Sequence, residues 1–129
     1  MIIDYHHTQI TAPKGTHAEV RRFYGDVLGL REIPVNPVLR GRDLIWFEVG
    51  SRSLHVGFED GINRAATGAH LAYEVDDIAE YRRRLTTAGF ELIEQLKFPG
   101  LDRFHIRDPF GNRVEIIGSD GTPPSLDRY

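Results

Sequence analysis

The sequence predicts an α+β fold made of two βαβββ modules in one chain of 129 residues. Three observations support this prediction. Short β-branched segments are bounded by turn residues, and apolar residues at helical spacing occur in two segments. The second half of the chain also repeats the pattern of the first at an offset of about sixty residues, as in Gly-Leu-Arg-Glu at 29–32 and Gly-Phe-Glu-Leu at 89–92. We therefore expect an internal duplication within a single domain.

The first module is expected at about residues 2–58. Alternation of polar and apolar residues predicts a first strand at 2–12. Thr16 is the expected N-cap of the following helix, with Glu19 completing a capping box and Gly29 ending the helix. The remaining strands are predicted at 30–35, 43–49 and 53–58, with a hairpin turn at 50–52.

The second module is expected at about residues 69–118, after a polar linker at 59–68. Asp77 is the predicted N-cap of a helix that continues to Ala88, where Gly89 ends it. The strands are predicted at 69–75, 90–96, 103–107 and 113–117, with a turn at 108–112. Residues 119–129, with two prolines among charges, are expected to form a C-terminal tail.

The composition is that of an ordinary globular protein, with 40% hydrophobic residues, 27% charged residues and a net charge of −3. This charge argues against nucleic acid as a partner, because phosphates call for a basic face. The sequence has neither a signal-type segment nor a long apolar run, which argues against a membrane partner. The absence of cysteine excludes disulfides, thiolate metal sites and a cysteine nucleophile, and it favours the cytoplasm.

Glu115 stands in the apolar run Val-Glu-Ile-Ile, where a carboxylate must be solvated in a cavity, paired with a cation or bound to a metal. In each of four predicted strands, a histidine or this glutamate lies on the face opposite the strongly apolar residues. The duplication pairs His7 with His70 and His55 with Glu115 around a pseudo-twofold axis. We therefore expect a U-shaped mixed sheet whose concave surface collects these four side chains.

Three imidazoles and one carboxylate without a thiol suit a divalent Zn, Ni, Co, Mn or Fe(II) ion. His7, His70 and Glu115 alone would leave coordination positions open for water or substrate. If His55 also ligates the metal, fewer positions stay open.

Two alternatives concern neighbouring charged residues. Glu115 is equally able to pair with an arginine such as Arg103 or Arg113 in an ordinary strand. His105 and Arg103 share one face of their strand, so they either line the cavity and hold a substrate anion or cover an exposed strand face.

Four segments together resemble the vicinal-oxygen-chelate superfamily. That superfamily includes glyoxalase I, fosfomycin-resistance proteins, bleomycin-binding proteins, methylmalonyl-CoA epimerase and extradiol dioxygenases. The resemblance covers about residues 2–118. Its motifs are Tyr-His-His-Thr-Gln-Ile at 5–10, Phe-Tyr-Gly-Asp-Val-Leu-Gly-Leu at 23–30, Gly-Ala-His-Leu-Ala at 68–72 and Asp-Pro-Phe-Gly-Asn-Arg-Val-Glu-Ile-Ile at 108–117.

The resemblance implies that His7, His55, His70 and Glu115 are metal positions and that His55 and Glu115 are the catalytic candidates. Glyoxalase I usually has a glutamate at the position of His55, and the epimerase resembles it with a glutamine there. In fosfomycin-modifying members and single-unit dioxygenases, the ligands resemble His7, His70 and Glu115, with the fourth position off the metal. His55 is thus expected to be either a fourth ligand or an acid/base.

The shared chemistry of the family is bidentate binding of two adjacent substrate oxygens to the metal. The resemblance therefore implies a metal-dependent lyase or isomerase that acts on a small molecule with vicinal oxygens. The alternatives are an extradiol-type dioxygenase and a metal-free protein that binds a drug-like compound. Members of the family commonly form homodimers, so a homodimer is also expected.

Overall fold

The computed structural model describes residues 1–123, which divide into two compact units. The first unit is Met1–Ile62, and the second begins at Asn63, within the predicted linker. No helix in residues 1–123 is long and apolar enough to cross a membrane.

The first unit contains a four-stranded mixed sheet, a helical segment of two parts and a short 3-10 helix at Pro37–Leu39. The helical segment begins with a short α-helix, α1, at His17–Val20 and continues as π-helical turns at Arg21–Val27. The strands are β1 at His7–Ala12, β2 at Arg31–Ile33, β3 at Leu44–Val49 and β4 at Arg52–Phe58. Their order in the sheet is β1-β4-β3-β2.

The second unit repeats this arrangement with one helix, α2, at Ile78–Thr87. Its strands are β5 at His70–Val75, β6 at Ile93–Glu94, β7 at Leu101–Arg107 and β8 at Arg113–Ser119. Their order in the sheet is β5-β8-β7-β6, which is the order of the first sheet. The predicted α+β fold of two βαβββ modules is therefore confirmed.

The duplication extends to the register of the strands. β1 is parallel to β4 with Gln9 opposite His55, and β5 is parallel to β8 with Ala72 opposite Glu115. On the other side, Trp46 of β3 faces His55, as His105 of β7 faces Glu115. His7 therefore occupies in the first module the place that His70 occupies in the second. His55 and Glu115 correspond to each other in the same way.

Alternation along the central strands places the predicted apolar residues in the core. Leu54 and Val56 of β4 and Val114 and Ile116 of β8 are at most 2% exposed. Each of these strands also buries the polar residue between them, since His55 is 7% exposed and Glu115 is 5% exposed. Both polar side chains therefore need partners within the protein.

The first helical segment differs from the prediction. The Thr16 side chain caps no backbone N–H group and instead donates a hydrogen bond to the carbonyl oxygen of Pro13, so the predicted capping box is wrong. The π-helical turns are wider than those of an α-helix, and the neighbouring residues Phe23 and Tyr24 are both only 1% exposed. Gly29, with a φ of 81°, follows the helical segment as predicted.

The second module follows its prediction more closely. The Asp77 carboxylate accepts a hydrogen bond from the N–H group of Glu80 and caps α2. The strand predicted at 90–96 is shortened to Ile93–Glu94, whereas the last strand continues to Ser119. The predicted tail therefore begins later than expected, and its residues 124–129 lie outside the described part of the chain.

Candidate metal centre

His70, at the start of β5, directs Nε2 of its imidazole at Glu115. Its Nδ1 lies 2.8 Å from the carbonyl oxygen of Gly68, which can only accept a hydrogen bond, so Nδ1 carries the proton. In the neutral imidazole, Nε2 then has a free lone pair. This Nε2 atom lies 3.3 Å from Oε1 of Glu115.

Glu115, in the middle of β8, is surrounded by donors on one of its two oxygens. Oε1 accepts hydrogen bonds from Nε2 of His105 at 2.7 Å and from Nη1 of Arg103 at 3.2 Å. The alternative pairing of Glu115 with Arg103 is therefore present in the structure. Arg113, the other arginine considered, donates to His105 instead.

The protonation of His105 follows from this contact. Nε of Arg113 lies 2.5 Å from Nδ1 of His105, and a guanidinium can only donate. Nδ1 of His105 is therefore unprotonated, and the proton lies on Nε2, which donates to Glu115. The three residues form a directed chain of hydrogen bonds from Arg113 through His105 to Glu115.

The pKa values agree with a neutral His105 beside an ionised Glu115. Burial lowers the pKa of His105, and the positive charge of Arg113 acts in the same direction. Burial on its own would raise the pKa of Glu115, but the hydrogen bond from His105 and the charge of Arg103 outweigh burial and lower it.

His70, His105 and Glu115 bring their ligand-type atoms within 4.8 Å of one another. An ion bound at about 2.1 Å from two ligand atoms holds those atoms roughly 3.0–3.4 Å apart in octahedral or tetrahedral geometry. The separation of 3.3 Å between His70 Nε2 and Glu115 Oε1 falls within this range. The donor set of imidazole and carboxylate fits a divalent metal ion.

In the first unit, His55 lies in a stack of aromatic rings. Its ring stacks on Trp46 with a centroid distance of 4.0 Å and on His7 with a distance of 4.1 Å. Its Nε2 lies 3.0 Å from the hydroxyl of Ser53. Burial, followed by the nearby charges of His7 and His6, lowers the pKa of His55 to about 4, so the ring is neutral at neutral pH.

The four predicted site residues thus fall into two pairs, one in each unit. His7 contacts His55 in the first unit, and His70 contacts Glu115 in the second. His105 and Arg103 do not line an exposed strand face, because both bind Glu115.

The contact of His105 with Glu115 was not predicted from the sequence. One signal was available, because residues equally distant from the centre of a hairpin turn face each other across the two strands. His105 and Glu115 are each five residues from Phe110, the centre of the predicted turn at 108–112. The pairing of β7 with β8 has this register.

Comparisons with known proteins agree with the fold. The model of the glyoxalase/bleomycin resistance protein/dioxygenase superfamily matches residues 5–116. A Bacillus anthracis protein assigned to the glyoxalase family is 38% identical, with 93% of this chain and 98% of that chain covered and a TM-score of 0.84. Among curated proteins, no sequence matches the chain.

Two more distant structures share the fold. Lactoylglutathione lyase from Agrobacterium tumefaciens is 23% identical, with 89% of this chain and 92% of that chain covered and a TM-score of 0.67. The fosfomycin resistance protein FosX from Listeria monocytogenes, in complex with Mn(II) and sulfate, is 15% identical, with 94% of each chain covered and a TM-score of 0.74. The extent of the family match, together with the 38% identity over nearly the whole chain, makes this protein a member of the glyoxalase/bleomycin resistance protein/dioxygenase superfamily.

Proposed function

We propose that this protein is a metal-dependent lyase or isomerase that acts on a small molecule with two adjacent oxygen atoms. The observation that carries the proposal is the pair of facing lone pairs on His70 Nε2 and Glu115 Oε1, 3.3 Å apart. When His70 is neutral, this pair favours a cation between the two atoms, either a proton on His70 or a metal ion, in addition to the hydrogen bonds that Oε1 accepts from His105 and Arg103.

The proposed ligands are His7, His70 and Glu115, with His55 as a fourth ligand or as the acid/base. For His7 and His55, the proposal rests on the duplication, since they occupy in their module the places that His70 and Glu115 occupy in theirs. A divalent Zn, Ni, Co, Mn or Fe(II) ion would act as a Lewis acid toward the two substrate oxygens.

The protein residues would supply orientation and proton transfer. His55 is neutral at neutral pH, and its Nε2 is the atom that would take a proton from the substrate and return it. Ser53, 3.0 Å away, is the partner of this nitrogen in the resting protein. The aromatic rings of Trp46 and His7 on either side hold the imidazole in one plane.

The indole N–H group of Trp46 supports the proposal that the ligand carries oxygen atoms. Its indole Nε1 is buried and has no hydrogen-bond partner among residues 1–123. A buried donor without an acceptor costs about 1–3 kcal/mol, which a substrate oxygen would recover on binding. This donor belongs to the ring that stacks on His55.

The experiment is a turnover assay with metal-loaded and chelated protein. The substrates are methylglyoxal together with glutathione, fosfomycin, and a catechol, which represent the reaction of a lactoylglutathione lyase, addition to an epoxide and dioxygenation. We expect turnover of a substrate of the first kind, its loss after chelation and its return with metal. Turnover of the catechol alone, with consumption of oxygen, would assign dioxygenation instead. If a compound binds tightly without being converted, and its affinity is unchanged after chelation, a metal-free binding protein is favoured.

We also propose that the chain forms a homodimer in the cytoplasm, in keeping with its family and its lack of cysteine. Sedimentation equilibrium tests the dimer, and cell fractionation tests the compartment.

A further inference from the structure

His105 satisfies the distance criterion for a metal ligand, yet its hydrogen bonds assign it another role. A histidine ligates a metal through an unprotonated nitrogen. In His105, the unprotonated nitrogen is Nδ1, which the guanidinium of Arg113 occupies at 2.5 Å. The nitrogen that faces Glu115 carries the proton. Neither nitrogen is free to bind an ion while Arg113 remains in place.

We propose that His105 is a positioning residue, locked by Arg113 into the Nε2–H tautomer so that it holds the Glu115 carboxylate in the rotamer that binds metal. This inference rests on the proposed metal site. It divides the three-residue cluster into two ligands, His70 and Glu115, and one donor that orients the second ligand. Hydrogen-bonded partners of this kind raise metal affinity by fixing the ligand before the ion arrives.

The contacts of Glu115 fit this division. The donors His105 and Arg103 both bind Oε1, which is the oxygen that faces Nε2 of His70. Arg103 is itself held, since its Nε donates to the carbonyl oxygen of Leu96 at 2.7 Å and its guanidinium lies over the ring of Phe98. The carboxylate is therefore held by two donors at the oxygen nearest His70.

The first module provides an independent parallel. Trp46 stands in β3 at the place that His105 has in β7, and each faces a candidate site residue on the next strand. Trp46 stacks flat on His55, with an angle of 4° between the rings. In both modules, the side chain at this place restrains its neighbour, by stacking in one case and by a hydrogen bond in the other.

The tautomer can be measured without any metal. Long-range ¹H–¹⁵N correlation spectra of the chelated protein report which ring nitrogen of each histidine carries the proton. We expect His105 to be protonated on Nε2 only, and we expect Arg113→Gln to mix the two tautomers. Protonation of His105 on Nδ1 in the unmodified chain would overturn the proposal.

The second measurement counts imidazole ligands by X-ray absorption of the Zn-loaded protein, together with Zn affinity. His105→Leu is expected to lower affinity about 10- to 100-fold with the imidazole count unchanged. His105→Gln retains an N–H donor and is expected to restore affinity to within a few-fold of the original. His17→Leu, a histidine change in the first unit that removes the contacts with Asp43 and with the ring of Phe58, is the matched control.

The outcomes separate this inference from the proposed function. Loss of one imidazole in the His105→Gln protein would make His105 a ligand and overturn the positioning role while leaving the metal site intact. Failure of the unmodified protein to bind Zn, Mn, Ni, Co or Fe(II) would overturn the proposed function and, with it, any role for His105 in metal binding. If His105→Leu does not fold, the His105→Gln protein and the tautomer measurement still decide.

Discussion

Nε2 of His70 and Oε1 of Glu115 face each other across 3.3 Å at the junction of β5 and β8. The proton of His70 is on its other nitrogen, bound to the carbonyl oxygen of Gly68. Two acceptor atoms at this distance repel each other unless a positive charge lies between them. The parallel pairing of these strands therefore creates a place for a cation between a partly exposed imidazole and a buried carboxylate.

Replacement of Glu115 by glutamine should abolish metal binding with little change in shape. The amide is neutral and is a much weaker ligand for a divalent ion than a carboxylate. Metal present at about 100 times its dissociation constant should stabilise the unmodified protein by about 2.7 kcal/mol and the variant by almost nothing. Thermal unfolding with and without added metal measures this difference. Glu91→Gln, which changes an exposed glutamate of the same unit, is the control and should keep the full metal effect.

The lowered pKa of His55 predicts that the folded protein loses stability in mild acid. Its pKa is about 4 in the folded protein, below the usual value of 6.5, so the unfolded chain binds the proton first. The contribution is fully favourable above pH 6.5 and is lost as the pH falls from 6.5 to about 4, at a cost on the order of 2–3 kcal/mol.

The measurement for His55 is denaturant unfolding of chelated protein between pH 4 and 8, beside His55→Phe. Phenylalanine keeps a ring between Trp46 and His7 but cannot take up a proton. The free energy of unfolding of the unmodified protein should fall relative to that of the variant as the pH decreases through this range. Parallel pH curves for the two proteins would show that His55 is not buried in its neutral form.

Asp102 belongs to a charged network that joins α2 to β6 and β7. Arg82 donates hydrogen bonds to Asp102 and Glu94, and Lys97 pairs with the same two carboxylates. Burial would raise the pKa of Asp102, but the hydrogen bonds and charges of Arg82 and Lys97 prevail and lower it to about 2. The pKa of Glu94 is also lowered to about 2, chiefly by its hydrogen bond with Arg82.

Because these folded pKa values lie below those of the unfolded chain, the network stabilises the protein above about pH 4, and the effect is lost as the pH falls toward 2. We expect Asp102→Asn to cost about 1–2 kcal/mol at pH 7 and much less at pH 3. Glu94→Gln should cost less at pH 7, because the Glu94 side chain is 57% exposed and that of Asp102 is 22% exposed. Urea unfolding at the two pH values tests both expectations, and equal costs at pH 7 and pH 3 would contradict them.

The duplicated fold was predictable from sequence because its signals are local and repeated. Alternation along the strands, Asp77 at its cap and glycine after each helical segment all have a direct physical meaning in the sequence. The same alternation identified the places of His7, His55, His70 and Glu115 within their modules. Alternation along a strand shows which face a residue occupies. It does not show the distances between residues of different strands, on which binding of a shared ion depends.

Other features depend on packing that the sequence pattern does not reveal. The change from α-helix to π-helix at Arg21 is accompanied by burial of two adjacent aromatic residues, Phe23 and Tyr24, and the predicted helix has no sign of it. The tautomer of His105 depends on one contact with Arg113 from the neighbouring strand. Such features are visible only when the side chains are placed in three dimensions.

Elemental analysis measures whether the protein binds a metal ion. Protein is purified without chelators or metal-affinity resin, beside His7→Ala and Glu115→Gln. We predict about one Zn, Ni, Co, Mn or Fe per chain, lost in both variants, because each replaces a proposed ligand. Absence of metal from the unmodified protein, even after reconstitution with each of these ions, would contradict the proposed metal-dependent chemistry.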